Sequence, residues 1–192
     1  LVLLAENNEG YANLMKIVSK GFVEGYYYKP RVDKELLRKY HSGIIALSAC
    51  LAGEVSRYLM KGLYDEAKKA ALEYRDIFGK DHFYLELQDQ GLVNQQLLKM
   101  SRETGIELVA TNDVHYTYAK DEKAHDILLC IQTGKRLADE NRMRYEGGQY
   151  YIKSEEEMKS LFPYALQALE NTQKIADRCL VEIEFGVTKL PK

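Results

Sequence analysis

The sequence predicts an α/β fold built on a parallel sheet, and three observations carry that reading. Short apolar runs alternate with segments of helical periodicity along the first two thirds of the chain. The runs are rich in branched and aromatic residues, as strands are. Two of the helical segments stop at a glycine. Strand–helix–strand repetition favours parallel strands joined by helical crossovers, in a sheet either open or closed into a barrel.

In chain order, LVLLA (1–5) reads as a buried strand, and GIIALSAC (43–50), HFYLELQ (82–88) and IELVATN (106–112) are the other strand candidates. Over 64–79, Ala67, Ala70, Ala71, Tyr74, Ile77 and Phe78 keep i, i+3, i+4 spacing, and Gly79 provides the stop. A second helix is expected over 92–104, ending at Gly105. A third, over 120–133, carries the stripe Ala124, Ile127, Leu128 and Ile131. Residues 134–150 read as loop, with Arg136, Arg142 and Arg144. The last third is different: Ser154 and Glu157 form a capping box, a helix follows near 165–179, and VEIEF reads as a short strand. There is no internal repeat.

Composition limits the function classes. The 192 residues suffice for one full-sized core, with 46% hydrophobic and 29% charged residues. A net charge of −2 supplies no basic field, so a DNA role rests on a local patch or on neighbouring domains. Three scattered cysteines are not a disulfide framework and favour a reducing compartment. No run approaches a membrane span and no signal-peptide pattern is present, so a cytoplasmic location without membrane attachment is expected. Leu1 opens the chain inside a strand candidate, which reads as a piece of a longer protein.

Chemistry is concentrated in a few stretches. In VATNDVHYTY (109–118), Asp113 and His115 share a face if the strand runs through Val114. Active sites of parallel sheets and barrels gather at the carboxyl ends of strands. Carboxylate plus imidazole there suits Zn, Mn or Fe. The plainer alternative has Asp113 making a local turn and His115 packing on Tyr116. In SACLAGE (48–54), Ala46, Ser48 and Cys50 form a small polar face that would look into a barrel mouth. Cys50 is then a thiolate ligand or simply a buried hydrophobe, and Cys130 and Cys179 fit the second description.

In FYLELQDQG (83–91), Tyr84, Glu86 and Gln88 make a polar face that needs partners in a covered sheet, or water at an edge. GYYYKPRVD (25–33) combines three tyrosines with Lys29 and Arg31, suited to nucleic acid or to plain packing, and Arg142 and Arg144 are further candidate contacts. His41, His82 and His125 read as structural. Phosphate-binding loops, a dinucleotide fingerprint and a serine elbow are all absent.

Taken in order, the blocks LVLLAENNEGYANLMKIVSKGF, GYYYKPRVDKELL, GIIALSACLAGE, FYLELQDQG, ELVATNDVHY, AHDILLCIQTGK, NRMRY and YIKSEEEMKSLF…ALENTQKIADRC resemble the PHP (polymerase and histidinol phosphatase) domain of bacterial DNA polymerase III alpha subunits. The resemblance runs essentially the whole length. It implies an incomplete TIM-like barrel over 1–135, lacking its first strands, and a loop and helical extension over 136–192 leading toward the polymerase palm. It also implies a cluster of divalent metals (Zn, Mn, Fe or Mg), with Cys50 matching the family's cysteine ligand and Asp113 and His115 its final D-x-H pair. The family's H-x-H motif and the ligands after it are absent, and Gln90 stands where relatives often carry histidine, so the site is incomplete here.

The implied function is that of a replicative polymerase with a PHP phosphoesterase acting as a 3′→5′ proofreading exonuclease, the isolated piece being inactive. The alternatives are a non-catalytic scaffold and a free-standing phosphatase acting on a small ester. Implied partners are DNA and other replicase subunits, a proofreading subunit included. Two exposed strand edges would invite self-association.

Overall fold

A computed structural model describes residues 1–89, 91–188 and 190. Its sheet has four strands in chain order: β1 (Val2–Ala5), β2 (Ile44–Leu47), β3 (Phe83–Gln88) and β4 (Leu108–Thr111). β2, β3 and β4 are parallel, whereas β1 runs antiparallel to β2 with Val2 opposite Leu47. The all-parallel expectation is therefore corrected at β1. That strand is also less buried than its sequence implies: Leu1 and Val2 are exposed, because β2 is its only strand partner among the described residues.

Eight helices accompany the sheet among the described residues: α1 (Asn8–Val23), α2 (Lys34–Lys39), α3 (Glu54–Met60), α4 (Tyr64–Phe78), α5 (Asn94–Thr104), α6 (Glu122–Thr133), α7 (Glu155–Leu161) and α8 (Leu166–Arg178). The helices expected over 64–79, 92–104, 120–133 and 165–179 are present. Ser154 and Glu157 form the expected capping box, Ser154 N–H donating to the Glu157 carboxylate at 2.7 Å.

The two faces of the sheet are covered unequally. Ile44, Ala46, Phe83, Leu85, Leu87 and Ala110 join the main core with residues of α1 to α5. On the other face, Ile45, Leu47, Tyr84 and Val109 pack on Ile175 of α8. α8 crosses the outer edge of β4, where the Asn171 amide donates to the Leu108 carbonyl at 2.8 Å. α8 thus packs along that edge.

The C-terminal end of α8 is fixed by Arg178. Its guanidinium donates to the Glu6 carboxylate at 2.8 Å, to the Asp81 carbonyl at 2.6 Å and to the Tyr84 hydroxyl at 3.2 Å. His82 shares a hydrogen bond with the same Glu6 at 2.9 Å. Burial pushes the Glu6 carboxyl up, but the hydrogen bonds from His82 and Arg178 outweigh it and hold the group below its ordinary 4.5.

Two further expectations are corrected. VEIEF forms no strand: Glu182 N–H donates to the Asn8 side chain at 2.8 Å instead of a strand backbone, and Phe185 is 87% exposed. The stripe on α6 does not face a core, since Leu128 is 61% and Ile131 72% exposed while Leu129 and Cys130 are buried.

Close approach of α1 to the start of β2 requires glycine. A Cβ on Gly10 would stand 1.7 Å from the Gly43 carbonyl oxygen. Gly10→Ala is expected to cost about 1–3 kcal/mol or more in urea unfolding, as overpacking against fixed backbone does. A carboxyl depressed in the folded state gives stability that is present above its unfolded value and is lost as pH falls through the folded one. Between about pH 5 and about pH 3 the wild type should therefore lose more stability than Glu6→Gln, measured by chemical denaturation.

Candidate functional site

On the face that meets α8, apolar contact stops at Tyr84 and Val109, and the strands continue with polar side chains: Glu86 and Gln88 on β3 and Thr111 on β4. These form the floor of a cleft of about 320 Å³ at the carboxyl ends of β2, β3 and β4, whose rim includes Ala49, Cys50, Asp113 and Val114. The floor is hydrogen-bonded. Glu86 is 6% exposed, and its carboxylate accepts from the Thr111 hydroxyl at 2.6 Å, the Ala49 N–H at 3.1 Å and the Gln88 amide at 3.3 Å. Ser48 Oγ accepts the Glu86 N–H at 2.8 Å.

Cys50 and Asp113 reach this cleft by a route that strand alternation does not describe. β2 ends at Leu47, and Ala49 adopts φ +65°, a left-handed conformation that turns the chain before Cys50. Ala46, the first residue of the expected small polar face, instead lies in the main core. The chain then folds tightly enough that a Cβ on Gly53 would stand 2.2 Å from the Ser48 carbonyl oxygen. β4 likewise ends at Thr111, and Asp113 itself is left-handed at φ +48°. The premise that the strand continues through Val114 is corrected accordingly.

His115 lies beyond the cleft rim, among aromatic rings. Its centroid is 4.3 Å from that of Tyr145, 5.7 Å from Tyr150 and 5.7 Å from His125. Its Nδ1 donates to the Asp113 carbonyl at 2.7 Å. A carbonyl only accepts, so in the neutral ring Nε2 carries the lone pair, the arrangement usual for an imidazole ligand. Burial, then the charge of Asp113, pushes the Tyr150 hydroxyl up.

The loop carrying these rings is fixed by two residues. The buried Asn112 donates to the Gln149 carbonyl at 2.9 Å and the Tyr151 carbonyl at 2.7 Å, while His115 and Tyr116 N–H both donate to Tyr150 O. Arg142 makes a two-pronged pair with Asp126 at 2.5 and 2.7 Å, and its side chain is 4% exposed. Its guanidinium is therefore committed inside the protein and is not presented to a nucleic acid. Arg144 is exposed and donates to the Asp139 carbonyl at 3.0 Å. Lys29 and Arg31 lie on the exposed tyrosine loop, with Arg31 donating to the Tyr27 carbonyl at 3.0 Å.

The structure thus brings Cys50 and Asp113 to one cleft and sets His115 beside it. Among the described residues no group of three or more His, Cys, Asp or Glu stands close enough to hold a metal ion. The donors present do not make a complete metal centre by themselves. Gln90 lies outside the described residues. Sequence reasoning flagged the polar face of β3 without assigning Glu86 a role, and it missed Asn112, whose only sign was its place at the end of an apolar run. Among the described residues no helix is long and apolar enough to cross a membrane.

Residues 1–90 match the PHP domain family. Over 96% of its length the chain is 48% identical to the DNA polymerase III subunit alpha of Helicobacter pylori strain 26695, and it covers 16% of that protein. The Treponema pallidum protein of the same name is 46% identical over all of the chain, and that of Thermus aquaticus 39% identical, each covered to 17%. The chain therefore spans about a sixth of the length of these relatives, and the family match includes Cys50 but stops before Asp113 and His115.

Asn112→Ala is expected to cost about 1–3 kcal/mol, because two carbonyls lose their donor. Hydrogen exchange at the His115 and Tyr116 amides should rise together, since the segment they bond to is released.

Proposed function

We propose that the chain belongs to the PHP-bearing family of DNA polymerase III alpha subunits and is the part of a replicative polymerase that supplies one side of a PHP metal site. The observation that carries the reading is the meeting of Cys50 and Asp113, far apart in sequence, on one cleft at the carboxyl ends of parallel strands. His115, with Nε2 holding its lone pair, is the third contribution. In this reading the four strands belong to a larger TIM-like barrel over 1–135, and 136–192 leads toward the palm. The remaining ligands come from elsewhere in the subunit.

A divalent metal bound there (Zn, Mn, Fe or Mg) would lower the pKa of its bound water, so that a hydroxide nucleophile for a phosphodiester could form near neutral pH. The chain's own share is to hold a thiolate, a carboxylate and an oriented imidazole at the strand ends. The substrate would be the 3′ end of DNA, and Lys29, Arg31 and Arg144 would meet its phosphates. DNA and further replicase subunits, a proofreading subunit among them, are the partners. The cytoplasm is the compartment such a role requires. The isolated chain is inactive in this account, because three donors do not complete the site.

A second reading is favoured by the absence of a complete donor cluster among the described residues: the PHP unit as scaffold and docking surface. A free-standing phosphatase has less support, since the similar proteins named above are polymerase subunits.

The test is release of 3′-terminal nucleotides from a mismatched primer by the full-length alpha subunit with added Mn or Zn. Wild-type activity that falls at least about 100-fold in His115→Ala, the scale of a lost metal-site group, is the expected result. Equal background in both would leave the scaffold reading.

A further inference from the structure

The polar half of β3 has a use that metal ligation alone does not explain. We propose that Glu86 is a positioning residue, tying together the two strand ends that present Cys50 and Asp113. This deepens the metal-site reading and rests on it. β3 lies between β2 and β4, so a side chain on β3 can reach both neighbouring ends at once. Glu86 does so: one carboxylate oxygen takes the Ala49 N–H at 3.1 Å and the other the Thr111 hydroxyl at 2.6 Å.

The bonds fall at the two left-handed turns. Ala49 is itself the φ +65° residue and precedes Cys50, and Thr111 stands two before Asp113 at φ +48°. Non-glycine residues in that region are strained and persist only where their surroundings hold them. Among the described residues the donors to Glu86 are neutral, namely a backbone amide, a hydroxyl and the Gln88 carboxamide. The role therefore asks for acceptor geometry rather than for charge, and it predicts that a carboxamide can substitute.

The measurement is the alkylation rate of each cysteine in the native chain with iodoacetamide, mapped by mass spectrometry. The buried Cys130 reports whether the fold is intact. Glu86→Leu should speed modification of Cys50 at least about fivefold, through local opening that leaves Cys130 protected. Glu86→Gln should stay within about twofold of wild type, its amide accepting from Ala49 and donating to Thr111. The second amide proton can go to Gln88 Oε1, which has no partner among the described residues, once the Gln88 carboxamide turns over to present its oxygen in place of the NH2 that faces Glu86 in the wild type.

An unchanged Cys50 rate in Glu86→Leu with Cys130 protected would overturn the proposal, as would equal acceleration in both variants. Should Glu86→Leu also expose Cys130, Thr111→Val decides. It cuts only the β4 tie, so amide exchange from Asp113 to His115 should rise while Cys50 keeps its rate, and unchanged exchange would overturn the proposal. No metal enters these measurements. A failure of the metal reading in the full-length subunit is therefore distinguishable from a failure here.

Discussion

A parallel sheet buries both faces, and here the second cover is shorter than the sheet. α8 is fixed at one end by Arg178, which spans Glu6, the Asp81 carbonyl and the Tyr84 hydroxyl. From that anchor its apolar contacts reach Tyr84 and Val109 and go no further. The strands therefore finish with polar side chains, and those side chains must bond to one another, because buried polar groups without partners are costly. The Glu86–Ala49–Thr111–Gln88 network follows from that requirement, and so does a cleft where chemistry has room.

The same ends concentrate backbone strain. Ala49 and Asp113 hold left-handed conformations next to, or at, the residues proposed as metal ligands. An extended strand would send Cys50 to the face carrying Ala46, under the helical layer. The turn at Ala49 brings it to the cleft instead. Strain of this kind is characteristic of sites where geometry matters more than local stability.

How much of this was legible follows from what each signal encodes. Helical spacing and the Gly79 stop marked α4, and the capping box marked α7, since those patterns are local. β1 was legible as a strand but not as antiparallel, because alternation and apolar runs carry no direction. The α6 stripe marked an apolar face without saying what covers it. The left-handed turn at Ala49 was invisible, since the position lacks the glycine that usually announces such a turn, whereas a local turn at Asp113 was one of the two readings its sequence left open. Cys50, Asp113 and His115 could be named from motif order, but the turns that bring Cys50 and Asp113 to the cleft and leave His115 beside it could not. Arg142 looked like a surface cation until its pairing with Asp126 gave it an interior role.

The central claim is that the polar, uncovered end of the sheet presents Cys50 and Asp113 to a divalent metal in the complete subunit. Anomalous diffraction from crystals of the full-length alpha subunit soaked in zinc tests it most directly. The account predicts a peak in this cleft at roughly 2.3 Å from Cys50 Sγ and about 2.0–2.2 Å from an Asp113 carboxylate oxygen. A cleft without metal, with zinc bound elsewhere in the same crystals, would contradict it.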